Sequence, residues 1–349
     1  MSRAGPTSAA VAALAARASY ALLRARPPAG ADTWTRTNHR GEPITLLEGP
    51  AVAIGGMAGA AVATGLSRRY KAALIVAAAG AAAFGGYDDL AGDTASKGFR
   101  GHIGALRRGE LTTGALKLVG IGATGLAAAL VPGRPRPGSG RAGGGGSAAD
   151  AIIDAALIAG SANLLNLFDL RPGRAIKVAI GAGALLSASP AARGRVTAPL
   201  AAAGALLPAD LGEQAMLGDA GANALGAMLG VAATGLSRPA RVAALAGIVG
   251  LTAASEVVSF TRVIERTAPL RWLDMLGRRP AQASAQPPAA QPPAAQPPAA
   301  QSPAAQPPAA QPPAAQSPAA QPPGASTRAC AGASGQAADG QPERAEEPR

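Results

Sequence analysis

The stretch Ala72-Ala73-Leu74-Ile75-Val76-Ala77-Ala78-Ala79-Gly80-Ala81-Ala82-Ala83-Phe84-Gly85-Gly86-Tyr87-Asp88-Asp89 decides how this chain is read. Residues 72–87 pass without a charge, and two carboxylates then follow in succession. An uncharged run of that kind approaches the ~20 residues that cross a bilayer as a helix. Acidic residues at the rim of such a segment are costly and scarce, which marks them as candidates for function. Two further clusters share the pattern. Asn163-Leu164-Leu165-Asn166-Leu167-Phe168-Asp169 closes a second apolar run, and Leu217-Gly218-Asp219-Ala220-Gly221 opens a third. Brought to one face of a bilayer, the three clusters would make a divalent-metal and phosphate site.

Composition agrees with a membrane protein. The 349 residues are 48% hydrophobic, 15% charged and only 3% aromatic. A soluble domain would carry about 25% charge. Ala and Gly supply most of the apolar count, so each segment is weakly hydrophobic, and such small residues let spanning helices pack backbone to backbone, as at Gly55-Gly56 and Gly226–Gly230. The formal net charge of +12 would suit nucleic acid, anionic lipid or an anionic substrate. No basic helix interleaved with aromatics and no zinc or RNA-binding signature accompanies it, so nucleic acid is excluded as a partner. The one cysteine, Cys330, rules out an intrachain disulfide and a cysteine-based metal site.

The expected architecture is all-α: a polytopic transmembrane bundle of about nine helices over residues 1–280, followed by a disordered Pro/Ala/Gln-rich tail over 281–349. The apolar segments are Ser8–Leu23, Gly49–Leu66, Ala72–Tyr87, Thr112–Val131, Ala149–Phe168, Gly173–Ser189, Val196–Pro208, Ala220–Leu236 and Ala240–Phe260. The first carries Arg17 and lacks a clean cleavage site, so it reads as a spanning helix rather than a signal peptide. The tail repeats the five-residue unit Gln286-Pro287-Pro288-Ala289-Ala290, which has no apolar face to bury.

Alternation of loops across the bilayer tests this reading. Loops 24–48, 88–111, 169–172 and 209–219, and the chain from 261, fall on one side. Asp88, Asp89, Asp169 and Asp219 therefore land together, and Asp150, at a helix start, is the one acidic loop residue before the tail on the other side. Lys and Arg occur on both sides, and the positive-inside rule favours a cytoplasmic acidic face by a small margin.

The three motifs, in this order and spacing, resemble the polyprenyl-phosphate N-acetylhexosamine-1-phosphate transferases, a family that includes the phospho-N-acetylmuramoyl-pentapeptide transferase of peptidoglycan synthesis. The resemblance covers most of residues 30–275. Asp88-Asp89 matches the family's paired Asp, Lys97-Gly98 the Lys-Gly that follows, and Lys117 the lysine at the start of the next helix. Asn163, Asn166 and Asp169 match Asn-x-x-Asn-x-x-Asp, and Gly218, Asp219 and Gly221 match Gly-Asp-x-Gly. Asn38-His39-Arg40-Gly41 loosely resembles the first cytoplasmic loop. Two regions depart from the pattern. Pro172 stands where the family carries a second Asp, and Thr261–Arg279 lacks the family's histidine cluster and is followed by no final spanning helix.

The resemblance implies a multi-pass enzyme of the plasma membrane, active at its cytoplasmic face in cell-envelope glycan synthesis. It implies transfer of a sugar phosphate from a nucleotide-sugar, in UDP-linked form, to polyprenyl phosphate, with Mg2+. A homodimer is left open. The chemistry joins several negative charges, which a divalent cation and cationic side chains must offset. Asp219 and Asp169 are the expected metal ligands, since Mg2+ takes one or two carboxylates plus substrate phosphates. Asp88 and Asp89 are expected to hold the lipid phosphate's counter-ion or supply a base. Lys117 or Lys97 would neutralise the diphosphate. Asn163 and Asn166, three apart on one helix face, would donate to phosphate or ribose oxygens.

Plainer readings exist for each motif alone. Asp88-Asp89 would be a helix-end pair facing water, Asp219 a cap for the helix at Ala220, and the two asparagines interhelical hydrogen-bond partners. Asp154 and Glu256 lie inside expected helices with arginines as candidate partners and no assigned role. His39 and His102 are single loop histidines, expected in solvent. Two other functions compete with the transferase. An intramembrane prenyltransferase would need two matched Asp-rich halves, which this chain lacks. A degenerate relative that binds lipid-linked precursors, or scaffolds envelope assembly, is suggested by Pro172, the missing histidines and the tail.

Overall fold

The structure, a computed structural model, describes residues 4–91, 112–131 and 148–280. All of them belong to one compact unit, Met1–Ala283. Lys97 and His102, residues 133–147 of the Gly/Pro/Arg/Ser stretch 133–148, and the tail expectation lie outside the described residues.

The unit is a helix bundle. The long helices are α1 (Ala4–Ala25), α3 (Glu48–Val62), α4 (Arg68–Ala91), α5 (Thr113–Leu130), α6 (Ala148–Phe168), α7 (Arg174–Leu186), α8 (Pro190–Leu211), α9 (Gly218–Ala233) and α10 (Arg238–Ser255). Short helices α2 (Ala31–Trp34), α11 (Phe260–Arg266) and α12 (Ala268–Met275) complete it. Each expected segment thus has its helix. Three of them, α4, α5 and α6, are long and apolar enough to cross a membrane, or four if α10 and α11, bent by 94°, make one broken span. Several of the other segments are short or carry charge. Helices α3, α7 and α9 have 15, 13 and 16 residues, against the ~20 a bilayer needs. Helix α8 carries Arg193, Arg195, Asp210 and two internal prolines.

Helix α8 also begins earlier than the apolar run Val196–Pro208 suggests. Arg193 and Arg195 mark a loop in sequence, yet Arg195 is buried. Its guanidinium lies 3.6 Å from the Tyr70 ring centroid and donates to Thr234 Oγ1 at 3.0 Å. The charge is thereby absorbed into the bundle end and the helix continues through it. The segment 24–48 likewise holds structure that hydropathy does not announce. Strands β1 (Thr35–Thr37) and β2 (Pro43–Thr45) form an antiparallel hairpin with Arg36 opposite Ile44. Thr45 pairs with Ala215, and the Met216 N–H donates to the Thr45 carbonyl at 3.0 Å. The hairpin is thereby tied to the segment that leads into α9.

Helix α9 is the centre of the bundle. It packs on α3, α4, α6 and α8, and every residue from Ala220 to Ala233 is buried. The small residues permit this. A Cβ on Gly221 would stand 2.5 Å from Gly49 Cα, and one on Gly226 would stand 2.4 Å from the Ser161 carbonyl oxygen. The helices touch through their backbones, the arrangement expected of Gly-rich membrane bundles.

Candidate functional site

The N-terminus of α9 organises the site. Gly218 opens the helix with φ of +59°, a left-handed conformation that favours glycine. A Cβ there would also stand 3.0 Å from Asp89 Oδ2. The first N–H groups of a helix lack partners within it. Here carboxylates from other segments supply them. Asp89 Oδ1 accepts from the Asp219 N–H at 3.0 Å and Oδ2 from the Ala220 N–H at 2.9 Å. Asp169 accepts from the Gly218 N–H, and Gly221 donates to Leu217 O at 3.1 Å. Anions at this position also favour the helix dipole. Asp89 is therefore the cap of α9, delivered from the end of α4. Asp219, the residue that the sequence offers as its own cap, leaves its carboxylate free for other contacts.

Those contacts are made with Lys117. Its ammonium, brought in from the first turns of α5, lies 2.7 Å from Asp88 Oδ2 and also bonds Asp219 Oδ2. The Asp88 and Asp219 carboxylates meet as well. Asp88 and Asp219 thus converge as expected, with a cation between them. Arg36, from the hairpin, donates to the Asp89 carbonyl oxygen.

Beside this cluster is a cavity of about 370 Å3 lined by Arg36, Asp89, Asn166, Asp169, Gly218 and Asp219, with Leu46, Leu167, Leu170 and Met216. Asn163 is half-buried one turn earlier on α6. Gly221 serves the packing of α9 on α3. Asp169 is 7% exposed, and its Oδ2 has no hydrogen-bond partner among the described residues. Burial pushes its carboxyl well above the usual carboxylate range. The Asp210 and Asp219 carboxylates push the same way, against the pull of the Gly218 N–H.

Sequence reasoning missed the acids behind Asp169. Among the described residues, Glu48 is fully buried with both oxygens unpartnered, and Asp210 is 1% exposed with Oδ2 unpartnered. Asp210 Oδ1 accepts the Gly173 N–H at 2.9 Å. Glu213, also buried, pairs with Arg40 at 3.0 Å and accepts from Asn38 Nδ2 at 2.9 Å. His39 corrects the expectation of a solvated side chain. It lies 4.0 Å from Glu213 with a quarter of its side chain exposed. Burial pushes its imidazole down, against the pull of Glu213. It lines a second cavity, about 180 Å3, with Asn38, Asp169, Arg171, Pro172, Asp210 and Glu213.

The loop after Asp169 is held from both ends by α11 and α12. The Phe168 ring stacks on Phe260 with centroids 4.9 Å apart. Arg174 grips Asp274 through two nitrogens at 2.7 and 3.2 Å. Arg278 adds a bond to Asp274 at 2.8 Å. Burial works to raise the Asp274 carboxyl, but Arg174, Arg278 and Lys177 outweigh it and hold the group below its usual range. The region without histidines is thus built on an ion-pair network. On α6, Asp154 pairs with Arg241 at 2.6 Å, as its position suggests, while Glu256 is exposed.

Among the described residues, no group of three or more His, Cys, Asp or Glu is arranged to hold a metal ion. The donor set nevertheless fits Mg2+ in kind. Among the described residues, Lys117 is the cation bonded to the carboxylates of Asp88 and Asp219, Asp169 Oδ2 is an orphaned oxygen, and an ammonium thus already sits between two carboxylates. Mg2+ takes few protein carboxylates and completes its shell with phosphate and water. No family model matches this chain, and no curated protein matches it.

Proposed function

We propose that the chain is a multi-pass membrane phosphotransferase that moves a sugar phosphate from a nucleotide-sugar, UDP-linked, to polyprenyl phosphate. The single observation that carries this reading is the gathering of Asp88, Lys117, Asp169 and Asp219, from four separate segments, around the N-terminus of α9, beside a cavity that Asp169 and Asp219 line. The helices long and apolar enough to cross a membrane support the location. Placement at the plasma membrane with the site facing the cytoplasm belongs to the same proposal.

In the proposed reaction, an oxygen of the lipid phosphate attacks the sugar-linked phosphorus of the donor. The bond from that phosphorus to the bridging oxygen breaks, and the nucleoside monophosphate leaves with the electron pair. Mg2+, when bound, would supply charge neutralisation to the diphosphate. Asp219 and the free Oδ2 of Asp169 would hold it. Lys117 can pass from the carboxylates to the phosphates, where its ammonium offsets developing charge. Asn166 offers amide donors at the cavity wall. Asp88 holds Lys117 in position. Asp89 keeps α9 in place and, with Asp169, occupies its terminal N–H groups, so that phosphate must be neutralised by side chains and metal.

The test uses the purified full chain in detergent with polyprenyl phosphate, Mg2+ and a panel of UDP-sugars. UMP release that disappears in Asp219→Ala supports the reading. No release above that control sinks it. A second reading, a relative that binds such lipids without turnover, is favoured by the Lys117 clamp on Asp219 and by Pro172. It predicts saturable binding of polyprenyl phosphate without UMP release.

A further inference from the structure

Helix α11 leaves α10 at an angle of 94°, and with α12 it forms a strap against the loop that carries Asp169. One side of the strap is used inside the protein, through Phe260 and Asp274. The other side is open. Of α12 only Asp274 is buried. Trp272, Leu273 and Leu276 are 67%, 49% and 51% exposed. Arg262, Arg266 and Arg271 are exposed in the same strap, and none of their guanidinium groups has a partner among the described residues. The one exposed acid of the strap, Glu265, faces Arg171 at 4.0 Å.

We propose that this open side of the strap lies on the surface of a bilayer leaflet rich in anionic lipid. Three observations point to that occupant. The first is charge: three unpaired guanidiniums along two short helices offer bidentate donors to phosphate headgroups. The second is composition. A tryptophan among exposed leucines, flanked by arginines, is the pattern of a helix whose apolar side enters the boundary between headgroups and acyl chains. The third is continuity. Helix α10 has no buried residue and shows Val242, Val249 and Leu251 outward. An apolar helix wall of that kind suits lipid, and the strap starts where that wall turns by about a right angle. A helix that turns by about a right angle from a lipid-facing wall can run along the plane of the headgroups. The proposal does not rest on the transferase reading.

The strap is also wired to the site. Phe260, Thr261, Glu265 and Asp274 contact Phe168, Arg174, Arg171 and again Arg174, the residues on both sides of Asp169. Seating of the strap on the leaflet would fix the frame in which that loop is held.

The experiment places the full chain in nanodiscs of phosphatidylcholine alone or with about one-third phosphatidylglycerol, with acyl chains brominated near the glycerol. Trp272 emission is followed; Trp34 is buried, and a Trp272→Phe protein supplies its constant background. The expected result is quenching of Trp272 that is stronger in the anionic discs. In the triple variant Arg262→Gln, Arg266→Gln, Arg271→Gln the excess falls to the neutral-disc level. The single variant Arg271→Gln, at an exposed position, gives a partial loss if the triple variant does not fold. Absence of quenching in both discs overturns the proposal. Equal quenching in both discs, unaffected by the arginine changes, overturns the anionic selectivity. Quenching that appears only after truncation following Pro280 assigns the surface to the tail instead and overturns it. A second copy as occupant would show as quenching that rises only on dilution to one chain per disc.

Discussion

Lys117 and Asp219 are joined by an ion pair across 102 residues of sequence. The pair is half of a clamp whose other jaw is Asp88 at 2.7 Å. A cation that must be displaced, or must move to substrate, sits where the proposed reaction needs one.

Replacing Lys117 by Met separates these roles. The two carboxylates are left facing each other in a largely buried place, and the ligand-free protein should lose about 2 kcal/mol of stability. Added Mg2+ should restore part of that loss and raise the melting temperature of the variant more than that of the wild type. UMP release should fall at least tenfold. Thermal unfolding in detergent with and without Mg2+, together with the release assay, reads all three. A variant indifferent to Mg2+ would remove the carboxylates from consideration as its ligands.

Asp88 and Asp89 are adjacent but should behave differently. Asp89→Ala removes the acceptors of two helix N–H groups and should cost about 1–2 kcal/mol. Asp88→Asn should leave stability nearly unchanged and reduce turnover. Equal losses of stability in the two variants would contradict the division of labour seen at α9.

Asp169→Asn should stabilise the ligand-free protein while abolishing UMP release. Burial, then Asp210 and Asp219, raise the folded carboxyl above its ordinary value. The protonated form therefore contributes stability that is fully present below the unfolded value of about 3.9 and is lost as pH rises through the raised folded value. The amide does not titrate, so melting curves across pH should converge at low pH and separate as pH rises.

Asp274 carries the opposite sign. Its folded carboxyl lies below the ordinary range under the influence of Arg174, Arg278 and Lys177. The contribution is present above about pH 4 and is lost as pH falls through the lowered value. Asp274→Ala should detach the strap, and limited proteolysis between residues 256 and 280 should accelerate in that variant at neutral pH. Unchanged cleavage would show that the contacts of Phe260, Thr261 and Glu265 hold the strap without Asp274.

Much of this architecture was legible because charge is so sparse in the chain. Apolar runs interrupted at Asp88-Asp89, Asp169 and Asp219 gave both the helix ends and the carboxylates, and alternation of loops placed them together. The number of spanning helices is a finer matter: of the nine segments expected, three described helices, or four with the bent pair, are long and apolar enough to cross a membrane. Helix length depends on where the ends are capped and buried, and α3, α7 and α9 stop short of a bilayer's thickness. Arg195 read as loop because its partners, Tyr70 and Thr234, are remote in sequence. The role of Asp89 as cap could not be read either, since the N–H groups it serves belong to residues 219 and 220. Glu48, Asp210 and Glu213 did leave a trace. Each is an acid at or near a helix end: Glu48 opens α3, Asp210 lies in the last turn of α8, and Glu213 follows it in the segment that leads to Gly218-Asp219. Hydropathy treats such residues as flanks, whereas the fold turns them inward.

The cap that Asp89 provides also sets an order of assembly. Its partners follow 130 and 131 residues later in the chain. A ribosome adding residues in sequence will therefore have released α4 and α5, with Asp88, Asp89 and Lys117 exposed to whatever surrounds them, well before α9 arrives. Contacts of such long range close late. Products truncated before Gly218 will hold the acidic pair without the helix N–H groups that it serves.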